Sequence, residues 1–196
     1  FRSTLRRDSV DGRGNPIPWM TYPAIEYLNS LDLSSLVIFE YGTGNSTQFW
    51  SKKCESLVSV ESSRGWYDRV SSRIPKNVEL MYAASEAEYV DSIASTGHQF
   101  DIIVIDGKWR NACLLKSREF LADGGLVILD NSDRHYESAN ILKEQGFVQV
   151  DFSGFCPINS YTATTSIFFE CNNRILGRAM PPIPVGGLEY LAKPDD

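Results

Sequence analysis

The sequence predicts an α/β fold: a mostly parallel sheet with helices on both faces, closed by an antiparallel C-terminal strand pair. Three observations predict it. Short apolar runs alternate with segments of helical spacing as far as Gly146, the pattern of parallel strands joined by crossover helices. Four of those runs end in an acidic residue, Glu40, Glu61, Asp106 and Asp130, so parallel pairing gathers these groups at one edge of the sheet. Beyond Gly146 two strand-like runs, Phe147 to Phe152 and Thr164 to Glu170, follow each other without a helix between them. Strands joined by a loop alone pair antiparallel.

Taken in order, Gly12, Gly14, Pro16 and Pro18 predict an irregular segment over residues 1–20. A helix starts near Pro23, a residue tolerated in the first helical turn, and sets Ala24, Ile25, Leu28 and Leu31 on one face. The opening strand is Leu36 to Phe39, closed by Glu40. Gly42 and Gly44 make a turn, and Asn45, Ser46 and Thr47 are N-cap candidates for a helix carrying Phe49, Trp50 and Cys54. Ser56 to Glu61 is a strand and Arg64 to Arg73 a helix stopped by Pro75. Val78 to Tyr82 is the next strand, with a helix over Glu86 to Ser95 ended by Gly97. Phe100 to Asp106 is the strongest strand signal, followed by a helix over Trp109 to Leu121 with Gly124-Gly125 as its stop. Leu126 to Asp130 and a helix over Arg134 to Gln145 complete the alternation. Residues 1–171 read as one domain, and the proline-bearing residues 172–196 as an extended tail suited to packing across a homodimer.

A chain of 196 residues is long enough to bury a full core as one domain. Its net charge of -6 argues against a nucleic-acid or anionic-membrane partner. No apolar run reaches the roughly 20 residues of a membrane helix and none has the form of a signal peptide, so the expected location is cytoplasmic. Cys54, Cys113, Cys156 and Cys171 lack metal-finger spacing and read as reduced thiols.

A strand, a glycine turn and a helix hold a nucleoside-type cofactor at the carboxyl edge of a parallel sheet. A carboxylate ending the second strand, about 20 residues beyond such a turn, suits hydrogen bonding to ribose hydroxyls, and Glu61 occupies that place. Nicotinamide and adenosylmethionine sites share that feature. Glu40 separates them, because an anionic side chain two residues before the first glycine repels a pyrophosphate and attracts a cationic ammonium and sulfonium. Thr47 also stands where a dinucleotide fingerprint carries its third glycine.

The run Glu40-Tyr41-Gly42-Thr43-Gly44-Asn45-Ser46 resembles motif I of the class I S-adenosylmethionine-dependent methyltransferases, and Glu61 matches the acidic residue ending their second strand. The terminal strand pair is similar to that family's Rossmann-like seven-stranded sheet, whose last strand is inserted antiparallel. The resemblance covers about residues 21–171. It implies S-adenosyl-L-methionine as cofactor, with Glu40 near the methionyl ammonium, Gly42 and Gly44 against the cofactor and Glu61 on the ribose. It further implies Ala84 or Ser85 near the adenine, with Asn45, Ser46, Ser62 and Asp106 in the same cofactor set.

Asp106 with Asp130 and Asn131 forms a second constellation. Two carboxylates and an amide oxygen at the ends of neighbouring strands make a hard-oxygen set suited to Mg²⁺ or Ca²⁺. Their spacing resembles that of the cation-dependent O-methyltransferases, such as the catechol and caffeoyl-CoA enzymes, in which the metal binds the substrate's hydroxyls. The surroundings differ: Lys108 and Arg110 bring positive charge that replaces a cation or binds an acidic substrate. The catalytic candidates are Asp106, as a general base or a substrate-orienting group, with Lys108 and His135. His98 reads as solvated. Trp19, Thr21 and Tyr22 before the first core helix, and Pro157, Asn159 and Tyr161 in the last connection, fall on the pocket side.

These residues lead to the expectation of methyl transfer to an oxygen of a small-molecule or sugar-like acceptor. The alternatives are a nicotinamide-dependent oxidoreductase, aminopropyl transfer on the same fold, and a non-catalytic module that binds adenosylmethionine or adenosylhomocysteine. No clustered Ser/His/Asp set supports hydrolysis.

Overall fold

The computed structural model describes residues 2–176. Its elements are α1 (Arg2–Arg6), α2 (Tyr22–Ser30), β1 (Val37–Tyr41), α3 (Asn45–Ser51), β2 (Ser56–Glu61), α4 (Arg64–Ser71), β3 (Val78–Tyr82) and α5 (Glu86–Ser95). They continue with β4 (Phe100–Ile105), α6 (Arg110–Ser117), β5 (Leu121–Asp130), α7 (Tyr136–Glu144), β6 (Val148–Phe155) and β7 (Thr162–Phe169). The seven strands form one sheet in the order β3-β2-β1-β4-β5-β7-β6. Only β7 runs against its neighbours, between β5 and β6. The expected mostly parallel sheet with an antiparallel C-terminal pair is thus the one observed.

Side chains alternate across a strand, which sorts the core into two layers. Ile38, Leu57, Ile102, Val104, Leu126, Ile128 and Ile167 face α2 and α3 and pack on Leu28, Phe49 and Trp50. Phe39, Tyr41, Val60, Ile103, Ile105, Val127 and Leu129 face the opposite layer with Tyr89, Ile93, Cys113, Leu114 and Leu142 from α5, α6 and α7. The central strands are covered on both sides, which is why β1, β4 and β5 read as continuous apolar runs. Carried to the strand ends, the same alternation sets Glu40, Ser59, Glu61, Asp106 and Asp130 on the α2–α3 side of the carboxyl edge. Glu40 pairs in register with Ser59 on β2 and Val104 on β4.

Several local expectations are corrected. The segment before α2 is not irregular throughout: α1 is helical, and Val10 bridges Pro16 across a turn in which Asp11 accepts the N–H groups of Arg13 and Asn15. The Gly124-Gly125 pair is not a helix stop but part of β5, which begins at Leu121 after a short 3-10 turn over Arg118–Phe120. There Phe100 pairs with Leu121 but Ile102 pairs with Leu126, so β5 carries extra residues. Gly124 has φ +70, and a Cβ on Gly125 would stand 2.8 Å from the carbonyl oxygens of Ala122 and Asp101. The glycines therefore serve the bulge. The start of the expected tail is folded onto this end of the sheet: Asn173 donates to Gly124 and Gly125, Arg174 pairs with Asp101, and Ile175 is buried. The remainder of that tail, and its expected dimer contact, lie outside the described residues. Among the described residues no helix is long and apolar enough to cross a membrane.

Candidate functional site

A cavity of about 500 Å³ opens at the carboxyl edge of the sheet, over the β1–α3 and β4–α6 turns. Its size falls within the range of about 300–1,000 Å³ typical of small-molecule sites. The N-terminal segment at Arg7–Ser9 and Trp19 forms one wall, and the β6–β7 connection at Ile158, Asn159 and Tyr161 another. The N-terminal wall is tied down by Asn45, whose Nδ2 donates to Asp8 Oδ1 at 2.7 Å and to the Ser9 carbonyl at 2.8 Å. Thr21, the N-cap of α2, is fixed by a relay in which its N–H donates to Thr165 Oγ1 and that hydroxyl donates to Asp130 Oδ1.

The glycine turn has a physical reason at each position. Gly42 has φ +98, and a Cβ there would meet Gly107 backbone at 3.0 Å, so the β1–α3 and β4–α6 turns touch through two glycines. Gly107 is as constrained, because a Cβ on it would overlap the Tyr89 hydroxyl and crowd the Gly42 nitrogen. Gly44 differs: its backbone is extended, and the nearest atom to an added Cβ is on the Trp66 ring at 4.0 Å. The side of Gly44 facing the cavity is bare. Gly44, not Asn45 or Ser46, is the N-cap of α3, and its N–H donates to Thr47 Oγ1 at 2.9 Å.

Glu40 lies one layer below this turn. It is fully buried and is not part of the cavity wall. Its Oε2 accepts from Thr47 Oγ1 at 2.5 Å and from Ser59 Oγ at 2.8 Å, while Oε1 has no partner. Burial pushes its carboxyl up to about 7, against the hydroxyls of Ser46, Thr47 and Ser59 and the Trp50 indole, which favour the charged form. The expected contact with a methionyl ammonium is therefore not open in this conformation; the carboxyl stands behind Thr47 and the turn.

Glu61 does line the cavity, beside Ser46 and Ser62. Its Oε1 accepts from the Ser62 and Ser63 N–H groups at 2.8 and 2.6 Å, and its Oε2 from the Thr43 N–H at 3.3 Å, which fixes the carboxylate against the turn. Ala84 and Ser85 do not line the cavity. Ser85 instead caps α5, exchanging hydrogen bonds with Glu88. His135 lines a neighbouring surface hollow with Glu86 and Asn111 rather than the cavity, and burial followed by the charge of Arg110 holds its pKa below the ordinary histidine value.

Asp106, Asp130 and Asn131 converge as their strand positions imply, but Arg110 fills the space among them. Its Nη2 donates to Asp106 Oδ1 at 3.1 Å; its Nη1 donates to the Asp130 carbonyl and to Asn131 Oδ1 at 3.4 Å and stands 3.9 Å from Asp130 Oδ2. Nε donates to the Gly107 carbonyl at 2.9 Å, so the fork of donors is used on every side. This corrects the expected Mg²⁺ set: a guanidinium stands where the cation would, and a divalent ion beside it would meet a fixed positive charge. Burial raises the Asp106 pKa well above its ordinary value, helped by the neighbouring Asp130 carboxyl and opposed by Arg110. Asp130 is raised by burial as well, against the Thr165 hydroxyl and Arg110. Two carboxyls this close share their ionisation. Lys108 lines both this cavity and the adjoining hollow.

Left-handed backbone marks the same place. Among the described residues the non-glycines with positive φ are Arg7, Trp109, Asn131 and Ile158. Arg7, Asn131 and Ile158 line the cavity and Trp109 the adjoining hollow. Such conformations cost on the order of 1–3 kcal/mol each and persist where the surrounding fold imposes them. Sequence reading missed Arg7, Asp8, Ser9, Trp66, Tyr89, Gly107, Arg134, Cys156 and Ile158 as cavity residues. For Arg134 a signal existed, its position just past the Asp130-Asn131 pair. The N-terminal wall has no local signature, because it meets the site only through the fold.

No protein-family model and no curated protein sequence matches the chain. Solved structures do match. A precorrin-6y C5,15-methyltransferase from Geobacter metallireducens superposes with a TM-score of 0.58 at 14% identity, covering 76% of this chain and 87% of that one. An rRNA methylase from Streptococcus thermophilus gives 0.55 at 15% identity over 76% of this chain and 96% of that one. The N-methyltransferase NodS from Bradyrhizobium japonicum, solved with S-adenosyl-L-homocysteine, gives 0.52 at 17% identity over 74% and 82%. With the strand order and the inserted antiparallel β7, this likeness shows that the chain shares its fold with these methyltransferase structures.

Proposed function

We propose that this protein is an S-adenosylmethionine-dependent methyltransferase acting on an oxygen of a small-molecule acceptor. The observation that carries the reading is the bare cavity face of Gly44, with only the Trp66 ring at 4.0 Å from a would-be Cβ and the fixed Glu61 carboxylate in the same wall. That is a cradle for a ligand with ribose hydroxyls approaching the backbone. The unpartnered Glu40 Oε1 beneath it adds a field that favours a cation over a pyrophosphate. Adenosylmethionine, when bound, supplies an electrophilic methyl carbon and leaves as adenosylhomocysteine.

The chain's own part is positioning and proton removal. Asp106 takes the proton of the acceptor hydroxyl. Burial raises its pKa, which strengthens it as a base, and Arg110 fixes the carboxyl by Oδ1. Trp19 and Tyr161 flank the acceptor side. Isothermal calorimetry with adenosylmethionine and adenosylhomocysteine tests the reading. Saturable binding of both is expected; binding of a nicotinamide dinucleotide with neither of them would replace the reading with an oxidoreductase.

A further inference from the structure

The cavity lining holds two chemically different groups of residues. The glycine turn, Glu61 and Trp66 lie at or beyond the ends of β1 and β2; Lys108, Arg110, Arg134, Ile158 and Tyr161 follow β4, β5 and β6, and Trp19 lines the cavity as well. Within the second group Arg110 engages the carboxyls of both Asp106 and Asp130. Lys108 and Arg134 are exposed, and among the described residues neither forms an ion pair. Each is steered by an aromatic ring instead: Lys108 Nζ stands 5.5 Å from the Trp109 centroid, and the Arg134 guanidinium 5.6 Å from that of Tyr161. Such contacts orient a cation without neutralising it. With Arg7, which is also exposed and without an ion pair among the described residues, three such positive charges line the same cavity in a chain whose net charge is -6. Trp19 and Tyr161 expose about half of their surface beside them, 49% and 50%.

We infer that the acceptor is a small acid, bearing a phosphate or carboxylate held by Lys108 and Arg134, whose apolar or planar body lies against Trp19 and Tyr161. The inference rests on the methyltransferase reading for the word acceptor, but the anion site stands on its own residues. Charge-assisted hydrogen bonds are stronger than neutral ones, so two such cations favour an anion over its neutral analogue by roughly tenfold or more. The cavity volume and the acidic surface fit a small molecule better than a nucleic-acid strand.

The experiment is calorimetric titration of the full chain, saturated with adenosylhomocysteine, with phenyl phosphate, benzoate and the uncharged benzyl alcohol. At least one anion should bind about tenfold or more tightly than the alcohol, and the order of the two anions tells phosphate from carboxylate. Raised salt should erode the difference. The Lys108→Gln/Arg134→Gln double variant should abolish it. Equal affinities for all three probes, a preference that survives in the double variant, or tighter binding of a single-stranded RNA oligomer would each overturn the inference. Failure of adenosylhomocysteine to bind would instead count against the methyltransferase reading. The same titration on the unliganded chain then decides the anion site by itself.

Discussion

Glu40→Gln offers the sharpest test of the electrostatics beneath the glycine turn. The glutamate is wholly buried, and its carboxyl moves from an ordinary 4.5 to about 7, with burial as the main cause. A folded-state pKa above the unfolded one means that the folded chain binds the proton more tightly. Stability from this group is then fully present below about 4.5 and is lost as pH rises through about 7. At about 1.36 kcal/mol per unit, ionisation in the folded state costs roughly 3 kcal/mol above pH 8. Glutamine has the shape of the protonated acid and can still accept from Thr47 and Ser59. Urea denaturation of both chains at pH 5 and pH 8.5 measures the effect, the difference between chains cancelling all other titrations. Near-equal stabilities are expected at pH 5, and a variant more stable by roughly 3 kcal/mol at pH 8.5. A difference that does not change with pH, or a wild-type chain that gains on the variant at high pH, would refute the reasoning.

Other perturbations separate the site's parts. Gly44→Ala should leave unfolding free energy within about 0.5 kcal/mol of wild type, since its backbone is extended and its Cβ meets only Trp66, yet weaken adenosylhomocysteine by at least about tenfold in calorimetry. Gly107→Ala should behave oppositely, losing about 1–3 kcal/mol in thermal denaturation because its Cβ overlaps the Tyr89 hydroxyl. Methyl transfer, once an acceptor is found, should survive EDTA, because Arg110 holds the oxygens that a divalent ion would need; activity lost to chelation and restored by magnesium would contradict that geometry. Asp106→Asn should remove the acid-side limb of the rate, in which wild-type activity rises with pH through a raised carboxyl pKa, as a pH–rate profile of the two would reveal.

Much of the sheet could be read from the chain because its central strands are buried on both faces. β2, β3 and α5 fall at their expected limits, and β1 and β4 within one or two residues of them. The misreading at Gly124-Gly125 has a physical source: a glycine pair signals the end of a helix and the bulge of a strand alike, and only the pairing with β4 distinguishes them. The carboxylates were legible too, because an acidic residue after an apolar run must reach the sheet edge. Their surroundings were not. Glu40 looks from sequence like a group open to a ligand, yet Thr47, seven residues on, covers it once α3 is laid against β1. Trp66 and Arg7–Ser9 reach the cavity only through packing that no local pattern encodes.

The position of Arg110 connects these facts. Two strands that each end in an aspartate bring like charges together at a buried edge, which a fold tolerates only with a counter-cation or shared protons. Here the counter-cation is supplied four residues after Asp106, from the first residue of α6, with Trp109 in a left-handed conformation just before it. The bend at Trp109 turns the chain so that the guanidinium points back into the edge, and Gly107 makes room for the turn against Gly42. Since Arg110 is spent on the two aspartates, it does not offset the charge of Lys108 or Arg134. On the proposed reading, the residue that takes the place of a metal also leaves the acceptor side of the cavity positive, and the proposed metal independence and anionic acceptor share one structural cause. An Arg110→Ala variant should alter both together, freeing the aspartate charge and weakening phenyl phosphate in the titration described above.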